Sequence, residues 1–193
     1  MALKTFVKIN SVNNLSDARY CAGMNVNIIG FKAGIDENSV SPEQFKEITS
    51  WVSGVDYCLE FESEIDDAFK NYDAQYIQSG NQSELLKHIG EAKLIYSTEL
   101  TSIDKEISSD IDYIIINGAN LKDETQLNQV KELAQQFKVL LGSGFDDSDI
   151  NDILDATPIA GIAITAGDEI RPGFKDYDEL ADVLEAIEID EWA

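Results

Sequence analysis

Basic residues are scarce in this chain. Its 193 residues hold 14 lysines and arginines against 37 aspartates and glutamates, a formal net charge of −23. A nucleic-acid backbone is bound by clustered Lys and Arg, so nucleic acid is set aside as a partner. Anionic membranes are disfavoured on the same ground. A small anionic ligand stays open, because backbone N–H groups hold phosphate without a side-chain cation. Cysteine is nearly absent as well. Cys21 and Cys58 form no close-spaced motif and read as reduced core thiols. The one histidine, His88, falls in an expected helix. There is no EF-hand and no close His/Cys cluster, so no metal is expected. Neither Gly-x-Gly-x-x-Gly nor a P-loop occurs, and no cofactor is expected. No long apolar run is found, and no basic-plus-apolar leader follows Met1. The expectation is a soluble, cytoplasmic protein. Nothing in the composition chooses between a monomer and a homodimer.

What is present is a regular alternation. Hydrophobic residues make up 44% of the chain, enough for a core, and one domain is expected over residues 1–193. Short β-like runs alternate with helix-like runs in eight units: "TFVKIN", "VNIIGF", "VDYCLEF", "AQYIQSG", "KLIYSTE", "DYIIIN", "KVLLGSG" and "IAGIAIT" each precede a helical segment. Helix signals include Ser41-Pro42 with Gln44 three residues on, a capping box. Helices are also expected over "SEIDDAFKNY" and, more weakly, "SIDKEISS". Ile114-Ile115-Ile116 and Val139-Leu140-Leu141 are apolar throughout. Strands that bury both faces belong to parallel sheets covered by helices. Eight such units with short connections predict an α/β fold, a compact eight-fold (β/α)8 TIM barrel. A doubly wound open sheet is the runner-up. The chain is shorter than the ~250 residues typical of the barrel, so its loops must be lean.

A barrel of this kind works at the rim formed by the C-terminal strand ends. Lys8, Asn10, Lys32, Glu60, Gln78, Ser79, Glu99, Asn117 and Thr165 are placed there. Glycine-rich turns follow strands seven and eight, Gly142-Ser143-Gly144 and Gly167-Asp168-Glu169. Their N–H groups are candidates for holding a phosphate dianion, together with Thr165 and Ala166. The plainer reading is that the glycines serve turn geometry.

Several stretches resemble the phosphoribosylanthranilate isomerase family. "VKINSVNNLSDARYCAGMNVNIIGF" is similar to its opening Lys-Ile-Cys-Gly strand, first helix and Gly-Phe strand. "SVSPEQF" resembles the entry to its second helix, "YIQSG" its Gln-Leu-His-Gly run, and "LLGSGF" its Leu-Ala-Gly-Gly-Leu turn. "TAGDEIRPGFKD" resembles its Ser-Ser-Gly-x-Glu-x-x-Pro-Gly-x-Lys-Asp segment, with Gly167, Glu169, Pro172, Gly173, Lys175 and Asp176 in place. The resemblance implies a TIM barrel and an Amadori rearrangement in tryptophan biosynthesis, converting N-(5-phosphoribosyl)anthranilate to its 1-deoxyribulose isomer. It also implies a cysteine at the end of strand one and an aspartate at the end of strand six as the proton-moving groups. It further implies an arginine in the loop after strand two that helps hold the substrate.

This chain departs at each of those positions. The cysteine position is Asn10, the following glycine is Ser11, the aspartate position is Asn117, and the loop arginine falls near Asn38. "GANLKDE" stands where a Gly-Gly-x-Gly turn is expected. Asparagine donates and accepts hydrogen bonds but does not titrate usefully, so it replaces neither a general acid nor a general base. Glu60 and Glu99 are the candidate substitutes, and Lys8, at the family's lysine position, is a candidate ligand contact. Three readings follow: a divergent barrel that binds a small phosphorylated or anionic ligand with the parent isomerisation lost or altered; a working isomerase using Glu60 or Glu99; or a non-enzymatic binding or scaffold protein.

Overall fold

The computed structural model describes residues 2–34, 39–62, 64–165, 169–171, 174–175 and 178–189, with backbone alone at 169–171, 174, 175 and 179. Eight parallel strands follow one another around a closed ring: β1 (Phe6–Asn10), β2 (Ile28–Lys32), β3 (Asp56–Phe61), β4 (Tyr76–Ser79), β5 (Lys93–Glu99), β6 (Tyr113–Asn117), β7 (Val139–Leu141) and β8 (Gly161–Thr165). β8 closes on β1 in unbroken register from Phe6↔Gly161 to Asn10↔Thr165. The expected eight-fold barrel is therefore the fold, and the open sheet is excluded, since an open sheet would leave both of those strands as edges.

The apolar strands are explained by their two buried faces. Val7, Ile9, Ile29, Leu59, Ile77, Ile114, Ile116 and Leu141 point outward into the main core. That core is covered by α1 (Leu15–Gly23), α2 (Pro42–Thr49), α3 (Gln82–Leu85), α4 (Glu124–Ala134), α5 (Ile150–Ala156) and α6 (Asp178–Ala186). Alternate residues point inward, where Ile28, Cys58, Tyr76, Ile95, Ile115, Leu140 and Ala163 form a second core. The ladder registers stack these inward residues in layers drawn from alternate strands. Lys8, Cys58, Ile95 and Leu140 share one layer. Gly30, Gln78, Ile115 and Ala163 lie above them, and Asn10, Glu60, Ser97 and Gly142 above those. Lys32, Asn117 and Thr165 stand at the C-terminal rim. Beneath the barrel, Ala2–Leu3 pairs antiparallel with Glu188–Ile189. Among the described residues no helix is long and apolar enough to cross a membrane.

The capping box forms as expected: Ser41 Oγ accepts from the Gln44 N–H and Gln44 Oε1 accepts from the Ser41 N–H. Two expected helices do not form. Over "SEIDDAFKNY" there is only a 3-10 segment, Asp67–Asn71, capped by Asp66; Ser63 lies outside the described residues. Ile65 and Phe69 are buried all the same, so the apolar anchors are satisfied without the cost of nucleating a helix. "SIDKEISS" is held by tertiary hydrogen bonds instead. The Gln82 amide donates to Asp104 and to the Glu106 carbonyl and accepts from Ser108 N–H, while Tyr96 OH donates to Asp104. His88 belongs to a 3-10 turn, where its ring meets Phe69 edge-on and Nδ1 lies 2.9 Å from Glu91.

Candidate ligand site at the barrel mouth

A strand period of two puts Lys8 and Asn10 on the same inward face of β1. Lys8 is fully buried. Its Nζ donates to Glu60 Oε1 at 2.6 Å and also to Asn10 Oδ1. Glu60, on β3, is 8% exposed, and its other oxygen accepts from the Ser11 N–H at 3.0 Å and Ser11 Oγ at 3.2 Å. A buried ion pair holds only if its remaining polar atoms are satisfied, and Ser11 supplies that. Ser11 stands at φ 59°, the left-handed region that glycine adopts more easily. Between β1 and β3 the pair crosses Gly30. A Cβ at Gly30 would overlap Glu60 Oε1 and lie 2.7 Å from Lys8 Nζ, so only glycine leaves room for the ion pair. Directly below, burial pushes the Cys58 thiol up to about 12, with Lys8 opposing and Glu60 adding to the shift. Cys58 is thus an inert part of the barrel filling.

Across the mouth, Asn117 ends β6. Its Nδ2 donates to Ser97 Oγ at 3.3 Å and lies 3.5 Å from the Thr98 carbonyl. A Cβ at Gly142 would overlap Asn117 Oδ1, so this glycine makes space for the asparagine. Glu99 is exposed at the rim, beside Gly118. Lys32 pairs with Glu62 at 3.1 Å near the surface. Thr165 is exposed at the end of β8, in register with Asn10.

The turn after β7 is partly committed to the fold. The Gly142 N–H donates to the Ile116 carbonyl at 2.8 Å, and Ser143 Oγ accepts from the Gly118 N–H at 2.8 Å. Gly144 sits at φ +90°, where a Cβ would overlap the Ala119 carbonyl. Ser143 and Gly144 are exposed residues, and their backbone N–H groups make no hydrogen bond among the described residues. Of the turn after β8, Ala166, Gly167 and Asp168 lie outside the described residues, as do Asn38, Pro172, Gly173 and Asp176. Glu169 is described by its backbone alone, in a short strand, Glu169–Arg171, paired with Phe174–Lys175.

The structure therefore joins Lys8, Asn10 and Glu60 in one cluster and sets Asn117 at the rim above Ser97 and Gly142. It separates the two candidate carboxylates: Glu60 faces the interior and Glu99 faces solvent. Ser79 leaves the site altogether, since it points to the outer face of β4, where its Oγ accepts from the Asn81 N–H. Gly30, and the place of Ser11 against Glu60, are what reading the strands one at a time passes over. Their signal was strand parity. Lys8 and Glu60 both face inward on strands flanking β2, and the β2 residue between them is a glycine.

Chemically, the mouth offers amides, hydroxyls and one carboxylate whose partners all donate to it. Asn10 and Asn117 can orient a ligand by hydrogen bonds but cannot carry a proton through a reaction.

Neither a protein-family model nor a curated protein matches this chain. Solved structures do. TrpF from Jonesia denitrificans superposes with a TM-score of 0.74 at 16% identity, over 95% of this chain and 96% of that one. Phosphoribosyl anthranilate isomerase from Thermotoga maritima gives 0.71 at 18% identity, over 95% and 98%. KGPDC from Streptococcus mutans gives 0.63 at 13% identity, over 96% of each chain. Proteins of different names share this barrel, and a fold alone does not assign an activity. Along nearly its whole length, this chain has the fold of the phosphoribosylanthranilate isomerase structures.

Proposed function

We propose that this barrel binds a small phosphorylated ligand at its C-terminal rim, and that the Amadori isomerisation of the enzymes it resembles is lost or altered. The observation that carries this reading is the pair Asn10 and Asn117. They occupy the two mouth positions where the family resemblance implies proton-moving groups, and neither side chain titrates usefully. The amides of Ser143 and Gly144, with the turn from Thr165 through Ala166, Gly167, Asp168 and Glu169, are the proposed phosphate contacts. Gly142 serves Asn117 and the Ile116 carbonyl, so its contribution is shape. Titration with inorganic phosphate, followed by backbone amide resonances, tests the cradle. Saturable shifts at Ser143, Gly144 and Gly167 are expected. Their absence at all three removes it.

One observation favours a second reading, in which isomerase activity persists. Glu60 reaches Asn10 through the Lys8 ammonium, so a carboxylate does stand near the position of the missing cysteine. Its partners, Lys8, the Ser11 N–H and Ser11 Oγ, all donate to it. A carboxylate has about four acceptor positions, so these three donors leave one on Oε1 for a substrate proton.

A further inference from the structure

Outside the barrel, a cavity of about 540 Å³ lies between α4, α5 and the loops that lead into them. Its floor is apolar. Leu121 from the loop after β6, Leu127 on α4, Phe145 from the loop after β7 and Ile153 on α5 line it, and all four are only half-buried. Its edge is acidic. Asp149, Asp152, Ile153 and Ala156 follow the spacing of one helical face, so α5 presents two carboxylates beside its apolar contact. Asp146, in the loop before α5, adds a third. Its Oδ1 accepts from the Ser148 N–H, Ser148 Oγ and the Asp149 N–H, while Asp149 Oδ1 accepts from the Asp146 N–H. These bonds hold Asp146 and Asp149 in place, and the second oxygen of each has no hydrogen-bond partner among the described residues. Against the three acids, the described lining holds a single cation, Lys122.

A half-buried apolar floor gains free energy when it is covered. The acids decide what can cover it. A second copy of this chain carries the same net charge of −23 and is repelled. A neutral or acidic partner leaves three carboxylates at the edge of the contact with no counter-charge. The walls are helices and loops, so an extended peptide finds no strand edge to pair with, whereas an amphipathic helix needs only side chains to fill a groove. We infer that this groove docks a short basic amphipathic helix of another protein. Its apolar side chains lie on Leu127, Phe145 and Ile153, and its lysines or arginines face Asp146, Asp149 and Asp152. The groove shares only Gly144 with the proposed phosphate contacts, so docking stands without a ligand at the barrel mouth.

The test uses the full chain and a capped peptide of about 14 residues, the length at which a helix begins to hold alone, with leucine at helical spacing and lysine elsewhere. A control peptide carries glutamate in place of lysine. The lysine peptide should shift the methyl resonances of Leu127 and Ile153 saturably, and the glutamate peptide should not. Asp152→Lys should weaken the lysine peptide about fivefold, the upper end for one exposed ion pair. Leu127→Ser should weaken it about tenfold, roughly half the worth of burying a leucine side chain. Glu47→Lys, at an exposed position of α2, changes the net charge equally and should leave the affinity nearly unchanged. That variant separates docking from the general attraction of an acidic protein for lysine. The inference is overturned if the lysine peptide leaves both methyls unmoved, or if the glutamate peptide moves them as well. It is overturned equally if Glu47→Lys weakens binding as much as Asp152→Lys, or if Leu127→Ser binds like the wild type. Shifts of the same methyls on concentrating the protein alone would make a second copy the occupant, and would overturn it too.

Discussion

Replacing Lys8 with methionine keeps the length of the side chain and removes its charge. Glu60 would then remain buried with no cation beside it. We expect Lys8→Met to cost about 3–5 kcal/mol in urea unfolding. The double variant Lys8→Met, Glu60→Gln should cost less than the single one, because glutamine still accepts from Ser11 and no lone charge is buried. A double variant that is the less stable of the two would contradict this account of the pair. Cys58 gives a prediction about pH. Burial holds its folded thiol at about 12, against an ordinary 9.0, and burial also raises Tyr20, Tyr57, Tyr72, Tyr96 and Tyr113. A raised folded value favours the native state below the unfolded value, and that advantage is lost as pH rises. The urea midpoint should therefore fall above pH ~9, and Cys58→Ala should flatten part of that fall. A midpoint that rises between pH 9 and 12 would sink the argument. Residue types and strand ends were legible in the sequence. The difference between Glu60 and Glu99 was not, because it depends on barrel stagger and on the space left by Gly30, which are set by strands far apart in the chain.

At the scale of the element, the local signals that held were those with a complete hydrogen-bond grammar. Ser41, Pro42 and Gln44 specify the start of α2 whatever the rest of the chain does. Ser41→Ala should cost ~1 kcal/mol, read as a shift in the thermal midpoint, and a neutral result would mean that packing alone fixes that helix start. Segments 63–72 and 102–109 had helical spacing but weaker anchoring. In the first, Ile65 and Phe69 reach the core from a 3-10 segment. In the second, the Gln82 side chain supplies bonds that a helix would have made internally. Those bonds span more than 20 residues, so no local window of the sequence contains them. The turn after β7 shows the same division. Its glycines were visible as a turn, but that Gly142 serves Asn117 emerges only when β6 and β7 are side by side.

At the scale of the whole molecule, the barrel is shared with the solved structures, while the mouth differs from the pattern that the resemblance implies. Eight strands and their short connections follow from alternation, and the superposition on solved barrels extends over nearly the entire chain at 13–18% identity. The fold tolerates such divergence because each strand needs only apolar residues of suitable size on two faces. Chemistry is less tolerant, since it needs particular groups at particular strand ends. Here Asn10 and Asn117 stand there, with a carboxylate tied to Lys8 and Ser11. The central claim is that this arrangement no longer carries out the isomerisation. The direct test mixes freshly prepared N-(5-phosphoribosyl)anthranilate with increasing amounts of the protein and follows the fluorescence, which falls as the isomer forms. The account predicts decay at the protein-free rate at every concentration. Decay that accelerates in proportion to the protein, and disappears in Glu60→Gln, would contradict it.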